Sequence, residues 1–380
     1  MSFKLKCILL LIFVGFTEAK SQTKEIDSLL KTICSFQQAN SSFYNHGLFP
    51  SQRVYLKQKN YIREDNNVFF TGLIVWTLQT YESRLSLINH KLIDSVSKEA
   101  TKNYSLYKNK NGGVTYNFWQ TNPSQHFPND SYFSKRKKYQ LPDDLDDTAI
   151  LYHSTFHSDS AKIILKHLIN ENANRSKKTI HNTFREFKHK PAYSTWFGDK
   201  MPVDFDICVQ ANALLLVLNQ KLAQDETDIE TAHLIIEIVR KDYHLKYPQL
   251  ISPHYQNTAV ILYHLSRLIS IHPELGFLGI KEKIIGDIQS HILKQNSPME
   301  ILLLENSLLM LGNKPLSSIT IKDTDFQNFY FFVANMTSTT INPFKTWFSK
   351  CKSTNFYYKS EAYYWTLVFE NVCLRLEQKR

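Results

Sequence analysis

Four aspartates lie within residues 143–147 of this chain. Their carboxylates repel one another, and a helix start offsets only part of that cost, through its free backbone N–H groups and the positive end of its dipole. A helix cap therefore explains one of these aspartates but not four. Repulsion inside a cavity raises the pKa of one carboxyl, which can then act as an acid near neutral pH. We interpret Asp144, Asp146 and Asp147 as candidate catalytic residues, with a divalent cation held by Asp143–Asp147 as the alternative.

A second acidic pair, Asp204 and Asp206, precedes another apolar segment that has helical spacing. Gln210 and Asn212 follow about two turns later among apolar neighbours. Polar groups in such a setting must be hydrogen-bonded or must line a wet cavity. We predict that Asp204 and Asp206 are catalytic and that Asn212 binds substrate. A helix cap with a buried amide network remains the structural alternative.

Further candidate binding residues are aromatic or amide side chains near predicted helix starts or on the long connections between helices. Aromatic rings on a covering segment can stack on sugar rings or line an apolar pocket. Amide and hydroxyl groups at helix starts can bind a polyhydroxylated ligand. The predicted substrate-binding residues, besides Asn212, are Asn67, Phe118, Trp119, Tyr193, Trp196 and Tyr255.

The elements that position these residues have helical periodicity. Predicted helices cover residues 25–38, 67–85, 88–104, 144–157, 159–172, 204–221, 226–242, 254–271, 278–294, 297–312, 318–334 and 360–378. Twelve helices in pairs predict an all-α fold, an (α/α)6 toroid in which residues 23–380 form one domain. A helical solenoid is the alternative. Two long connections, 105–142 and 173–203, each precede a predicted inner helix, and we expect them to cover the mouth of the toroid.

The segment Asp144–Ala149, DLDDTA, resembles the DxDDTA motif of squalene–hopene cyclases and other class II terpene cyclases. This resemblance implies the terpenoid cyclase and prenyltransferase-like toroid superfamily. It also implies that Asp146, the middle aspartate, protonates an alkene or epoxide while its neighbours hold the proton. The same stretch fits the DDxxD motif that binds metal and diphosphate in the other class of terpene synthases. The chain departs from the cyclases because it lacks QxxxGxW repeats and has room for only one toroid.

Two other function classes remain open on the sequence. A carbohydrate-active toroid, acting as a glycoside hydrolase or lyase, would need two carboxyls, one protonated and one ionised. One of Asp144 or Asp146 opposite Asp204 or Asp206 would supply them. The cyclase hypothesis predicts an apolar, ring-lined cavity at Asp146, whereas the carbohydrate hypothesis predicts an open polar cleft. The third hypothesis is a non-catalytic exported binding protein.

The first 22 residues have the layout of a secretory signal peptide. Lys4 and Lys6 precede an apolar run over residues 7–16, which is too short to span a bilayer. No later segment has about 18 uninterrupted apolar residues. We therefore predict a protein exported to the periplasm or secreted, without a transmembrane segment after cleavage. Four cysteines would remain, and their pairing is open.

The chain of 380 residues has a formal net charge of +10 and only 10 glycines. Scarce glycine disfavours glycine-rich phosphate loops. The basic residues cluster at 135–138 and 175–178. In an exported protein such runs are solvated loops or meet an anionic envelope surface or glycans, and we expect no nucleic-acid partner. The expected ligand is a small molecule, lipid or glycan in the toroid mouth, and the sequence does not indicate the oligomeric state.

Overall fold

The computed structural model describes residues 24–37, 43–317 and 319–378. The predicted signal peptide, residues 1–22, lies outside them. Most of the described chain is helical, and four short strands form one sheet. The helix-rich prediction is therefore confirmed, but the prediction of a purely α-helical chain is wrong because of this sheet. No helix in the described part of the chain is both long and apolar enough to cross a membrane.

The helices include long ones that carry the core and short ones of four or five residues in the connections. In chain order they are α1 (24–35), α2 (Phe69–Glu82), α3 (Leu87–Thr101), α4 (Tyr104–Tyr107), α5 (Leu145–Ser154), α6 (Asp159–Asn172), α7 (Ile207–Asn219), α8 (Glu226–Arg240), α9 (Tyr243–Lys246), α10 (Pro248–Ile251), α11 (Thr258–Ile271), α12 (Leu278–Ile292), α13 (Pro298–Met310), α14 (Phe344–Phe348) and α15 (Glu361–Gln378).

One predicted helix, residues 318–334, is wrong. The described part of that range has a 3-10 turn at Asp323–Phe326 and ends in strand β3, Phe332–Asn335. Its aromatic residues are suited to a half-buried strand, and a partner strand from a distant part of the chain decides the outcome. Each of the other predicted ranges overlaps one long helix.

Six helices pack in a closed sequence: α2 on α5, α5 on α7, α7 on α11, α11 on α13, α13 on α15, and α15 on α2. Helix α7 shows why they lie inside, since every residue from Ile207 to Leu218 is buried. A helix that is apolar on all sides needs neighbours on all sides. Helices α3, α8 and α12 have a single apolar face, and they pack outside this ring against α2, α7 and α11.

The sheet has the antiparallel strand order β2-β1-β4-β3. Its strands are β1 (Ser51–Val54), β2 (Ile62–Asp65), β3 (Phe332–Asn335) and β4 (Asn355–Lys359). Tyr358 pairs with Arg53 on one side and with Phe332 on the other. The backbone N–H of Val333 donates to the carbonyl of His254 at 2.8 Å, which ties the sheet to the segment before α11.

Both long connections run past the start of α5. Asp144 forms isolated β-bridges with Tyr116 of the first connection and with Trp196 of the second. The backbone N–H of Leu145 donates to the carbonyl of Thr195 at 2.8 Å. The backbone between these connections is thus fixed around the acidic segment. The described cysteines, Cys34, Cys208, Cys351 and Cys373, are all free thiols.

Candidate functional site

A cavity of about 510 Å³ lies between the starts of three ring helices, the sheet and the two long connections. Its lining is mostly apolar and rich in aromatic rings. Among them are Phe69, Phe118, Trp119, Trp196, Phe332 and Tyr358. The titratable groups that reach it include Asp144, Asp146, Asp147 and His254. Because this lining is mostly apolar, Asp144, Asp146 and Asp147 are poorly solvated, and burial raises their pKa values.

Asp146 lies in the first turn of α5 and is fully held by two donors. Its Oδ1 accepts a hydrogen bond from Asn212 Nδ2 at 2.8 Å, and its Oδ2 accepts one from the Tyr255 hydroxyl at 2.5 Å. Burial raises its pKa to about 7, and the charges of Asp144 and Asp206 add to that effect while the two hydrogen bonds oppose it. Near neutral pH the carboxyl therefore exchanges a proton readily.

The Asn212 amide is itself oriented by a buried cation. Arg267 donates to Asn212 Oδ1 at 2.6 Å, which leaves Asn212 Nδ2 to face Asp146. The Arg267 guanidinium lies 4.1 Å from the ring centre of Trp76, and Trp76 stacks on His153 at the same distance. Because guanidinium groups only donate, this arrangement fixes which end of the amide meets the carboxyl.

Asp144 and Asp147 form a second acidic unit beside Asp146. Asp144 caps α5, since its Oδ1 accepts from the backbone N–H of Asp147 at 2.8 Å. Burial raises the pKa of both groups, and the charge of Asp144 raises that of Asp147 well above its ordinary range. Asp147 Oδ1 is buried and has no hydrogen-bond partner within the described chain. Burial and the mutual repulsion of these two carboxyls therefore oppose the ionisation of both at once.

His254 places a titratable imidazole on the cavity wall. Its Nε2 lies 3.6 Å from Asp204 Oδ2, and its ring is edge-on to Trp196 at 5.9 Å. Burial disfavours the charged imidazole, but Asp204 and the charges of Asp206 and Asp144 raise its pKa above the ordinary value. The residue thus favours the imidazolium form beside the acidic groups.

Asp204 and Asp206, both predicted to be catalytic, lie behind His254 and do not line the cavity. Asp204 Oδ1 accepts from Asn182 at 3.0 Å and from Lys345 at 3.4 Å. Burial opposes its ionisation, but Lys345 and His254 outweigh burial and hold its pKa below the ordinary value. Asp206 caps α7 and also accepts from Ser252 at 2.7 Å and from the His254 backbone at 2.8 Å. Both carboxyls position His254 and the segment that carries it.

The predicted binding residues divide into three groups. Phe118, Trp119 and Trp196 line the cavity, and Asn212 and Tyr255 hold Asp146. Two others lie elsewhere. Asn67 is buried and donates to Ser51 Oγ at 2.7 Å and to Asp65 at 2.9 Å, whereas the Tyr193 hydroxyl donates to Asp228 of α8.

Sequence reasoning missed His254, Lys345 and the strand residues Phe332 and Tyr358. His254 stands within a predicted helix, and nothing in its neighbours distinguishes it from the other 13 histidines of the 14 in the chain. Its contact with Asp204 joins residues 50 positions apart, and no spacing rule captures such a contact. Strand β3 alternates between half-buried and buried residues, but β4 does not, and each has only four or five residues.

The alternative cation site at Asp143–Asp147 has little geometric support. Asp143 turns away from the cavity, and its Oδ2 accepts from Asn109 at 2.5 Å and from Thr115 at 2.6 Å. Within the described ranges, the residues whose ligand atoms converge closely enough for an ion are Glu82, His90 and Asp94, on α2 and α3.

A polar cleft, also of about 510 Å³, lies on the other side of the segment 141–144. Asp143 and Phe197 face this cleft, whereas their neighbours Asp144 and Trp196 line the apolar cavity. The cleft is rich in amides, including Asn109, Asn117 and Asn172. Adjacent residues of these extended segments therefore line two chambers of different polarity.

No protein-family model, curated protein or solved structure matches the chain significantly.

Proposed function

We propose that this protein binds an apolar, unsaturated molecule in the aromatic cavity and that Asp146 donates a proton to one of its double bonds. The observation that carries this proposal is the location of Asp144, Asp146 and Asp147 on the wall of an apolar, ring-lined cavity. The cyclase hypothesis requires such a cavity. The resemblance of residues 144–149 to the terpene cyclase motif agrees with it.

The chemistry divides among named groups. Asp146 transfers its proton to an alkene carbon and becomes a carboxylate, while the other alkene carbon becomes a cation. Tyr255 and Asn212 already donate to both Asp146 oxygens, so they stabilise that carboxylate without rearranging. The faces of Phe118, Phe332 and their neighbours would stabilise the cation. Loss of a proton from the cation back to Asp146 yields an isomerised or cyclised product and restores the acid.

The architecture we propose is an (α/α)6 toroid, with α2, α5, α7, α11, α13 and α15 as its inner helices. Support comes from their closed packing sequence and from the single apolar face of α3, α8 and α12 outside them. Export through a signal peptide at residues 1–22 remains part of this proposal. An exported enzyme of this kind would take its substrate from a membrane or from the surrounding medium.

Filling the cavity is expected to weaken the binding of an apolar ligand. Ala334 lines the cavity from strand β3, and a tryptophan there would occupy much of the 510 Å³ space. We expect Ala334→Trp to weaken the binding of the neutral dye N-phenylnaphthylamine at least about tenfold, because an indole displaces ring contacts worth more than about 1.4 kcal/mol. Fluorescence titration of the purified chain measures this change.

The matched control is Gln52→Trp, an exposed position on β1 of the same sheet that does not line the cavity. It should bind the dye like the wild type. Equal dye binding by the wild type and by Ala334→Trp, with both variants folded, would show that the apolar chamber is not the binding site.

A carbohydrate-directed function is the second candidate, and the polar cleft favours it. The cleft is lined by amides that suit hydroxyl groups, and it contains one buried carboxylate, Asp143. Opposed acidic groups from Asp204 or Asp206 do not reach it. A glycan that raises the melting temperature of wild type but not of an Asn117→Leu variant would support this function.

A further inference from the structure

Helix α14, Phe344–Phe348, buries its lysine and exposes its aromatic residues, which reverses the usual distribution. Lys345 is only 3% exposed, whereas Phe344 is 48% and Trp347 is 66% exposed. Lysine is almost never fully buried unless it is paired, and large aromatic rings normally face the core. The neighbouring residues Ile341 and Phe348 are also exposed. An exposed apolar face of this kind is typical of a surface that binds a protein or a membrane.

The orientation of α14 is fixed by polar contacts at its inner side. Lys345 Nζ lies 3.4 Å from Asp204 Oδ1, and Asn182 links the same oxygen to the Ser338 carbonyl through bonds of 3.0 and 2.6 Å. If the helix turned its aromatic residues inward, this buried carboxylate would lose its lysine partner and keep only His254 as a cation. The outward placement of Phe344 and Trp347 is therefore built into the fold.

A second segment that borders the cavity is also rich in exposed aromatic residues, and it adds positive charge. Phe133 and Tyr139 line the cavity, as do Met336 and Ser338 from the segment before α14. Between the first two residues, four consecutive exposed basic residues occupy 135–138. None of the four forms an ion pair with a described residue. We define the docking rim as residues 132–138 together with 341–348.

We propose that the docking rim binds the surface of an anionic lipid bilayer, so that the apolar cavity opens toward the membrane. Tryptophan and tyrosine side chains favour the membrane interface, and lysine and arginine residues without an acidic partner attract anionic headgroups. A second copy of this chain fits the rim less well, because a two-fold pairing would bring two unpaired basic clusters together. This proposal rests on the surface residues and not on the acid chemistry of Asp146.

The test is cosedimentation of the mature chain with vesicles. We expect binding to vesicles that contain about one third phosphatidylglycerol, at least tenfold weaker binding to pure phosphatidylcholine vesicles, and a loss of binding as salt rises. The emission of Trp347 should move to shorter wavelength on binding, and this change should be missing in Trp347→Phe. Because Trp347→Phe keeps the surface charge, this emission change reports contact of α14 with the bilayer and not a change in electrostatic attraction.

Two rim variants are expected to lose at least tenfold in affinity for the anionic vesicles: Phe344→Ser/Trp347→Ser and Lys135→Glu/Lys137→Glu. Their matched controls are Leu87→Ser/Ile88→Ser and Lys91→Glu/Lys98→Glu, which change exposed residues of α3 by the same chemistry. The controls and Asp146→Asn should bind vesicles like the wild type. Failure of Asp146→Asn in an activity assay together with retained vesicle binding would separate the two proposals.

The docking proposal is overturned if the wild type does not bind anionic vesicles, or if rim variants and controls bind equally. It is also overturned if light scattering shows a stable dimer that the Phe344→Ser/Trp347→Ser variant alone abolishes while vesicle binding is unchanged. In that case the exposed aromatic residues serve self-association.

Discussion

Asp146→Asn is expected to make the protein more stable at about pH 8 and to reduce the loss of stability between about pH 4 and pH 7. Folding raises the pKa of this carboxyl to about 7, from about 3.9 in an unfolded chain. A carboxyl with a raised pKa favours the folded state when it is protonated. Wild type therefore loses stability as the pH rises through this interval, by at most about 4 kcal/mol.

Asparagine cannot ionise, so the free-energy cost of ionising a buried carboxyl disappears. However, its amide NH₂ group faces a donor of Asn212 or Tyr255 where the carboxyl oxygen accepted a hydrogen bond. We expect a net gain of about 2 kcal/mol near pH 8 after this lost hydrogen bonding. Urea unfolding of both proteins near pH 5 and pH 8 measures it. Asp143→Asn is the control, and it should lower stability at both pH values because Asp143 accepts from Asn109 and Thr115 outside the cavity. An Asp146→Asn protein less stable than wild type near pH 8 would contradict the buried acid.

Lys345→Met is expected to destabilise the chain by about 3 kcal/mol, because it removes one partner of a buried ion pair. The lysine side chain is 3% exposed and its partner Asp204 is fully buried. Without the ammonium group, Asp204 keeps only His254 as a cation, within a cluster that also contains Asp144 and Asp206. We also expect His254 to titrate at higher pH, which NMR of the imidazole protons would measure.

The control for this prediction is a double-mutant cycle. Lys345→Met combined with Asp204→Asn removes both charges, and the pair should cost at least about 1.5 kcal/mol less than the sum of the single changes. Guanidinium unfolding of the four proteins gives the coupling. If the changes in the free energy of unfolding are additive, Lys345 does not stabilise Asp204. The ion pair would then not fix the orientation of α14.

The long helices could be predicted because the repeat of apolar residues is a local property of the chain. The position of the acidic cluster at the start of α5 could also be predicted from the sequence, because Asp144 is a typical helix-cap residue and belongs to the motif. A helix that starts with this cluster was expected to place it at a cavity, and Asp144, Asp146 and Asp147 do line one cavity. Tyr255 and Asn212 were expected to contact a ligand. In the structure they donate hydrogen bonds to Asp146.

The remaining features depend on contacts between distant residues. Strand β3 replaces a predicted helix because Phe332 pairs with Tyr358, which lies 26 positions later. Asp204 and Asp206 also stand at a helix start, like the first acidic cluster, but Asp204 pairs with His254 and Lys345, whereas Asp206 accepts from Ser252 and backbone N–H groups. Sequence spacing does not reveal whether an aspartate at a helix start will meet a cavity or a lysine 141 positions away.

Under the proposed function, Asp146 transfers a proton to a double bond of a ligand in the apolar cavity. Incubation of the protein with squalene, an acyclic polyene, in deuterated water measures this directly by mass spectrometry of the recovered lipid. We expect carbon-bound deuterium with wild type and a rate at least about 100-fold lower with Asp146→Asn, because the variant has lost its general acid. No deuterium uptake by wild type that demonstrably binds squalene, or equal uptake by Asp146→Asn, would contradict it.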